Sequence, residues 1–156
     1  MAPTDRPLFR DRAEAGRALA ERLSAYRGPD VLVLGIPRGG VVVAAEIARR
    51  LEAQLDILVA RKLGAPGSPE LAAGAVTADG GRFLNDEIIL MLGVSQSYLD
   101  ELTATEMAEA RRREEWFRNQ RPAAPIAGRP LILVDDGMAT GATTRAAVRS
   151  VRKHQP

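Results

Sequence analysis

Three short apolar runs constrain this chain more than any other feature: residues 31–36 (VLVLGI), 55–60 (LDILVA) and 131–134 (LILV). Each is too short for a core helix. The first and third show no alternation of apolar and polar residues. Such runs are the habit of strands buried on both faces, as in a parallel sheet. Parallel neighbours need long crossovers, usually helical. Between the first two runs Val41, Ala44, Ala45, Ala48 and Leu51 recur at helical spacing. Strand, helix, strand is a βαβ unit, so the chain is expected to form an α/β fold, a Rossmann-like parallel sheet flanked by helices.

The remaining segments are placed around that unit. Residues 1–9 read as an irregular arm. Asp11 and Glu14 have capping-box spacing, and Ala15, Leu19, Leu23 and Tyr26 form an apolar stripe that Gly28-Pro29 ends. Residues 61–74 are rich in Gly and Pro and read as a long loop. Residues 75–78 and 82–84 flank Asp79-Gly80-Gly81 as a small hairpin. Asn85 suits the cap of a short helix ending near Gly93. Ser95 or Ser97 suits the cap of a longer one reaching about Arg118, with Leu99, Leu102, Met107 and Ala110 inward and residues 111–115 outward. This helical stretch, 95–121, reads as an insertion. Pro122, Pro125 and Pro130 mark a linker, and residues 141–153 a final helix. The 156 residues suffice for one domain, 1–156.

Composition excludes several kinds of chemistry. With no Cys and a single His, His154, thiolate catalysis, Cys-ligated metal and a His-based triad are ruled out or unsupported. Twenty-two basic against 20 acidic residues leave +2, too balanced to argue for nucleic acid. No apolar run approaches the ~20 residues of a membrane span, and residues 1–12 lack a signal-peptide core. A cytoplasmic protein that binds neither membrane nor nucleic acid is expected.

Residues 131–144, LILVDDGMATGATT, carry the strongest functional signal. Ligands bind at the carboxyl ends of strands in open α/β sheets. A helix start there offers free N–H groups and the positive end of its dipole to an anion. Gly137 and Gly141 let the backbone curl close to a ligand, and Thr140, Thr143 and Thr144 add hydroxyl donors. Ala139 to Thr144 therefore suit a phosphate monoester. Asp135 and Asp136 are poor neighbours for phosphate but good acceptors for a vicinal diol, and they can stabilise positive charge developing on a sugar ring. A plain Asp-Asp turn with a threonine cap is the competing reading. Neither GxxxxGK[ST] nor GxGxxG occurs.

The segment LILVDDGMATGATT resembles the motif of the type I phosphoribosyltransferases, which binds phosphoribosyl pyrophosphate. The resemblance implies their fold. It also implies a pyrophosphate turn at residues 35–40, often of unusual peptide geometry, with Arg38, Gly39 and Gly40 as ligands, and a mobile catalytic loop opening at Arg61-Lys62. Those two residues would also contact pyrophosphate. It implies a reaction in which a nitrogenous base displaces pyrophosphate, with Mg²⁺ held mainly by the substrate diphosphate and no direct protein ligand, and a homo-oligomer, a dimer. Asp135, Asp136, Lys62 and Glu70 are the candidate catalytic residues, Glu70 as a proton donor. Ala139 stands where hypoxanthine-type members have an acid, so the motif is similar to the adenine-type form. Members continue with further core strands and carry a hood over the acceptor. The sequence stops at Gln155-Pro156, so C-terminal strands are expected to be missing. A non-catalytic module that binds phosphoribosyl pyrophosphate or a nucleotide, and an inert scaffold, are the alternatives.

Overall fold

The computed structural model describes residues 8–156. The arm expected over residues 1–9 therefore lies almost wholly outside the described residues. In chain order the elements are α1 (Arg12–Arg22), a 3-10 turn (Ser24–Tyr26), β1 (Leu32–Gly35), α2 (Gly39–Leu51), β2 (Gln54–Ile57), β3 (Ala60–Ala65), β4 (Ser68–Thr77), β5 (Arg82–Leu84), α3 (Asp86–Leu92), α4 (Gln96–Arg118), β6 (Leu131–Val134) and α5 (Ala142–Lys153).

β1 is the centre of a three-stranded parallel sheet of order β2-β1-β6. Its residues are buried on both faces, as expected for an unalternating apolar run. Val33 points to a layer made by Ala20 of α1 with Val43, Ala44, Ile47, Ala48 and Leu51 of α2. Leu32 and Leu34 point the other way, to Ala147 and Val151 of α5 and to Leu58. Leu32, Ile47 and Leu51 are fully buried, each worth about 1.5–3 kcal/mol of apolar burial.

The second sheet, order β3-β4-β5, is antiparallel. It corrects the long loop expected over 61–74. The turn-forming residues are concentrated at two points. Pro66-Gly67 makes the β3–β4 turn, with Gly67 at φ +71°. Gly64 sits at a bulge against the Pro69 backbone, where a Cβ would come within 2.8 Å of the Pro69 carbonyl. Ala65 of β3 and Ala72 and Ala73 of β4 are buried and pack as strand. The smaller hairpin is present as expected, with Gly80 at φ +87° in its turn.

α5 is wedged between the two sheets. Ala147 and Val151 meet the parallel sheet, while Ala142 and Ala146 meet Ala72 and Ala75 of β4. Alanine at three of these positions allows the close approach that fixes the start of the helix.

The three caps form, although Glu14 reaches back to the Arg10 N–H and does not complete a capping box on Asp11. Asp11 accepts from the Glu14 N–H, Asn85 from Ile88 and Ser95 from Tyr98. Several side-chain directions differ. In α1 the buried positions are Gly16 and Ala20, while Leu19, and Tyr26 in the 3-10 turn, are exposed. The cause is close helix packing: a Cβ on Gly16 would lie 2.7 Å from Glu46 Cβ of α2. In α2 the stripe is shifted too, with Val43 and Ile47 buried in place of Val41 and Ala45. The run at 55–60 divides between β2, a half-exposed edge strand, and the start of β3. Residues 111–115 are not all outward. Glu114 accepts a hydrogen bond from the Val59 N–H, and Arg111 donates to the Ala78 carbonyl.

Candidate active site

Two sequence segments nearly a hundred residues apart meet at the carboxyl end of the parallel sheet. β1 and β6 are paired in register, Gly35 beside Val134, so the turns that follow them are neighbours. A Cβ on Gly40 would lie 2.8 Å from the Val134 carbonyl and 2.9 Å from Asp135 Cα. A Cβ on Gly39 would fall onto the Asp136 carboxylate and within 2.7 Å of Arg12 Nε. The glycines of the 35–40 turn are thus needed because the acidic pair occupies the adjoining space. The Pro37–Arg38 peptide is cis, an unusual geometry of the kind the resemblance implies at this turn.

The acidic pair is electrostatically split. Burial pushes the Asp135 carboxyl above its ordinary value, against the hydrogen bond it accepts from the Asp136 N–H at 2.8 Å. Asp136 is held below its ordinary value by Arg12, whose Nε and Nη2 lie 2.8 and 2.7 Å from Oδ2. Arg12, in the first turn of α1, had no sequence signal: it belongs to no motif and reaches the site through the tertiary packing of α1 on α2.

Residues 139–144, the segment expected to hold phosphate, lead into α5. Gly141 takes φ +77° and no side chain caps the helix. Thr140 Oγ1 accepts only a long bond, 3.4 Å, from the Ala142 N–H. Gly137 to Thr140 are exposed, whereas Gly141 and Ala142 are buried. The first turn of the helix is therefore fixed in place with its uncapped end at an accessible loop, a geometry suited to an anion.

Arg61 and Lys62 diverge. Lys62 pairs in register with Ala75, so the two share a face of the hairpin, and Ala75 packs on Ala142 and Ala146. Lys62 is thereby on the face of the sheet that carries the start of α5. Its Nζ lies 3.3 Å from Glu70 Oε2, so these two candidate residues meet each other across the hairpin. Arg61 points to the opposite face and bonds Glu106 of α4 at 2.7 Å. The structure does not bring Arg61 to the site, because adjacent strand residues face opposite ways.

Arg38 turns toward α4. With Arg112, Arg113, Trp116 and Phe117 it lines a cavity of about 200 Å³. None of these α4 residues was singled out by sequence, where the charge run read as a solvated face. Among the described residues no group of three His, Cys, Asp or Glu side chains is placed to hold a metal.

Residues 10–156 match the phosphoribosyl transferase domain family. Two proteins of Mycobacterium tuberculosis, from strains CDC 1551 and H37Rv and each bearing the name "Putative phosphoribosyl transferase", are 49% identical over 147 residues. The alignment covers 94% of this chain and 33% of each relative, so the chain spans about a third of the length of the curated relatives it matches. The crystal structure of TT1426 from Thermus thermophilus superposes with a TM-score of 0.75 at 47% identity, covering 95% of this chain and 70% of that one. With the fold, the acidic strand end and the family match in agreement, this chain belongs to the phosphoribosyl transferase domain family.

Proposed function

We propose that the chain transfers a 5-phosphoribosyl group from phosphoribosyl pyrophosphate to a nitrogenous base. The observation that carries this reading is the contact of Gly39-Gly40 with Asp135-Asp136, which sets the turn expected to hold diphosphate beside the pair expected to bind the diol. The 5-phosphate would sit on residues 139–144, the ribose hydroxyls on Asp135 and Asp136, and the diphosphate near Arg38, Gly39, Gly40 and Lys62.

The chemistry assigned to each group follows from its surroundings. A ring nitrogen of the base donates its lone pair to C1, the C1–O bond breaks, and the electron pair leaves with pyrophosphate. The C1–O bond breaks ahead of full C1–N bond formation, so positive charge builds on the ring. Asp136, kept ionised by Arg12 through one oxygen, has its other oxygen available to face the sugar. Asp135, the more basic of the two, is the better proton acceptor for the nitrogen's departing proton. Lys62 supplies positive charge for the leaving diphosphate, and Glu70 sets its position. Two carboxylates, one already engaged, suit a Mg²⁺ ion that arrives on its substrate. That ion would neutralise diphosphate charge and be held chiefly by substrate oxygens and water.

The test is pyrophosphate release with a panel of bases in the presence of Mg²⁺. Silence across the panel, from a protein with a cooperative melt, counts against transfer. The mutual pairing of Lys62 and Glu70 favours one second reading, binding of phosphoribosyl pyrophosphate without turnover. Calorimetry separates the two: heat of binding without product supports the second, and no heat rejects both.

A further inference from the structure

The cavity between the 35–40 turn and α4 has a built chemical character. Trp116 and Phe117 stand edge to face, centroids 5.0 Å apart and planes at 73°, so their rings form a corner. Trp116 is 70% exposed, which leaves a large aromatic face uncovered. Glu109 accepts from Arg112 Nε and Nη2, both at 2.7 Å, and from Arg113 Nε at 2.8 Å, so one carboxylate holds two guanidiniums in place and takes the Nε–Nη2 edge of Arg112. Arg38, from the 35–40 turn, adds a third to the lining. Three guanidiniums against one carboxylate leave the wall strongly positive.

Flat aromatic faces accept a flat ring, and guanidinium forks accept a carboxylate. Diphosphate by itself would have no use for the two rings. A volume of about 200 Å³ is below the ~300 Å³ at which drug-sized ligand pockets begin, so the occupant is small. We infer that this cavity binds a monocyclic aromatic anion, a ring nitrogen heterocycle bearing a carboxylate, and holds it as the acceptor beside the diphosphate turn. The acceptor role rests on the transfer reading above; the binding does not.

Trp116 is the sole tryptophan, so its fluorescence reports this cavity directly. Pyridine and pyrimidine carboxylates and their carboxamides are titrated into the protein without phosphoribosyl pyrophosphate. The expected result is saturable quenching by the carboxylates, with carboxamides weaker by about tenfold or more. An Arg112→Gln/Arg113→Gln double variant, whose side chains are substantially exposed, is expected to lose about tenfold in carboxylate affinity with an unchanged melt. Trp116→Leu, read by calorimetry, is expected to weaken the same ligands. The binding inference is overturned by absence of a saturable signal or by equal affinity for amide and acid.

The acceptor role has its own readout. Carboxylates that bind should drive pyrophosphate release from phosphoribosyl pyrophosphate, less so in the double variant. If both ligands bind and no pyrophosphate appears, the acceptor role is overturned. If phosphoribosyl pyrophosphate itself does not bind, the transfer reading fails, and the fluorescence titration still decides the cavity.

Discussion

Arg12 and Asp136 are 124 residues apart in sequence, and Arg12 Nη2 lies 2.7 Å from Asp136 Oδ2. The pair ties the first helix to the carboxyl end of the parallel sheet. Its side chains are 58% and 30% exposed, so it contributes no more than about 1 kcal/mol to stability. Its value lies in fixing one Asp136 oxygen and keeping the group ionised. Arg12→Gln should leave the melting temperature within a few degrees while weakening phosphoribosyl pyrophosphate by about tenfold, the scale of one lost positioning bond. The Asp136 carboxyl should titrate at higher pH in the variant, by NMR. Unchanged affinity in Arg12→Gln would remove Arg12 from the site.

The two turn glycines should fail in different ways. At Gly39 an added methyl meets the movable ends of Asp136 and Arg12, so Gly39→Ala is expected to fold and to lose binding by about tenfold or more. At Gly40 it meets backbone, the Val134 carbonyl and Asp135 Cα, which cannot swing away. Gly40→Ala should therefore cost about 1–3 kcal/mol of stability through overpacking. Melting curves and calorimetry on both variants check this. The idea fails if Gly39→Ala is the less stable of the two.

What could be read from sequence was the local chemistry. Asp11, Asn85 and Ser95 cap their helices because a cap needs only its own first turn. The run containing Leu32 announces a strand buried on both faces because nothing polar interrupts it, whereas Leu131, Ile132 and Leu133 of the similar third run are only half-buried, because β6 lies at the edge of the sheet. Gly39 could be seen as a turn glycine, but not that Asp136 fills the space beside it, since that depends on β1 and β6 pairing. Gly16 was passed over for Leu19 because an apolar-stripe reading values large side chains, whereas close helix contact selected the residue with none. The 61–74 segment was misread because Gly64, Pro66, Gly67 and Pro69 serve one bulge and one turn of a hairpin. Arg112 and Arg113 read as solvated helix surface, Trp116 carries no sequence signal, and only the position of Arg38 gives them a common cavity.

Neighbouring Arg61 and Lys62 should separate cleanly under mutation. Arg61 and Glu106 are 29% and 18% exposed, so Arg61→Ala strands a half-buried carboxylate and should cost about 1–2 kcal/mol. Its effect on pyrophosphate release should be small. Lys62→Ala breaks only a pair with the almost fully exposed Glu70, so stability should barely change. Turnover should fall by about 10²-fold if Lys62 meets the leaving diphosphate, as lost electrostatic contacts to developing charge typically do. A turnover loss confined to Arg61→Ala would reverse the assignment of the two faces.

Asp79 joins the small hairpin to the last helix, and acid should expose its contribution. Burial alone would raise its pKa, but hydrogen bonds from Thr77, Ser150, the Gly81 N–H and His154 outweigh it and bring the carboxyl to about 2. The ordinary value is 3.8. A folded-state pKa depressed in this way stabilises the protein fully above the unfolded value, and the benefit is lost as pH falls from about 4 toward 2. Allowing for its partial exposure, the contribution is about 1–2 kcal/mol. Asp79→Asn should be less stable than the parent near neutral pH by that amount, with the gap closing across this window. Denaturant melts of both proteins at several pH values measure it. A gap that stays constant from about pH 5 to about pH 2 would mean that the Asp79 charge has no part in holding Ser150 and the C-terminal helix.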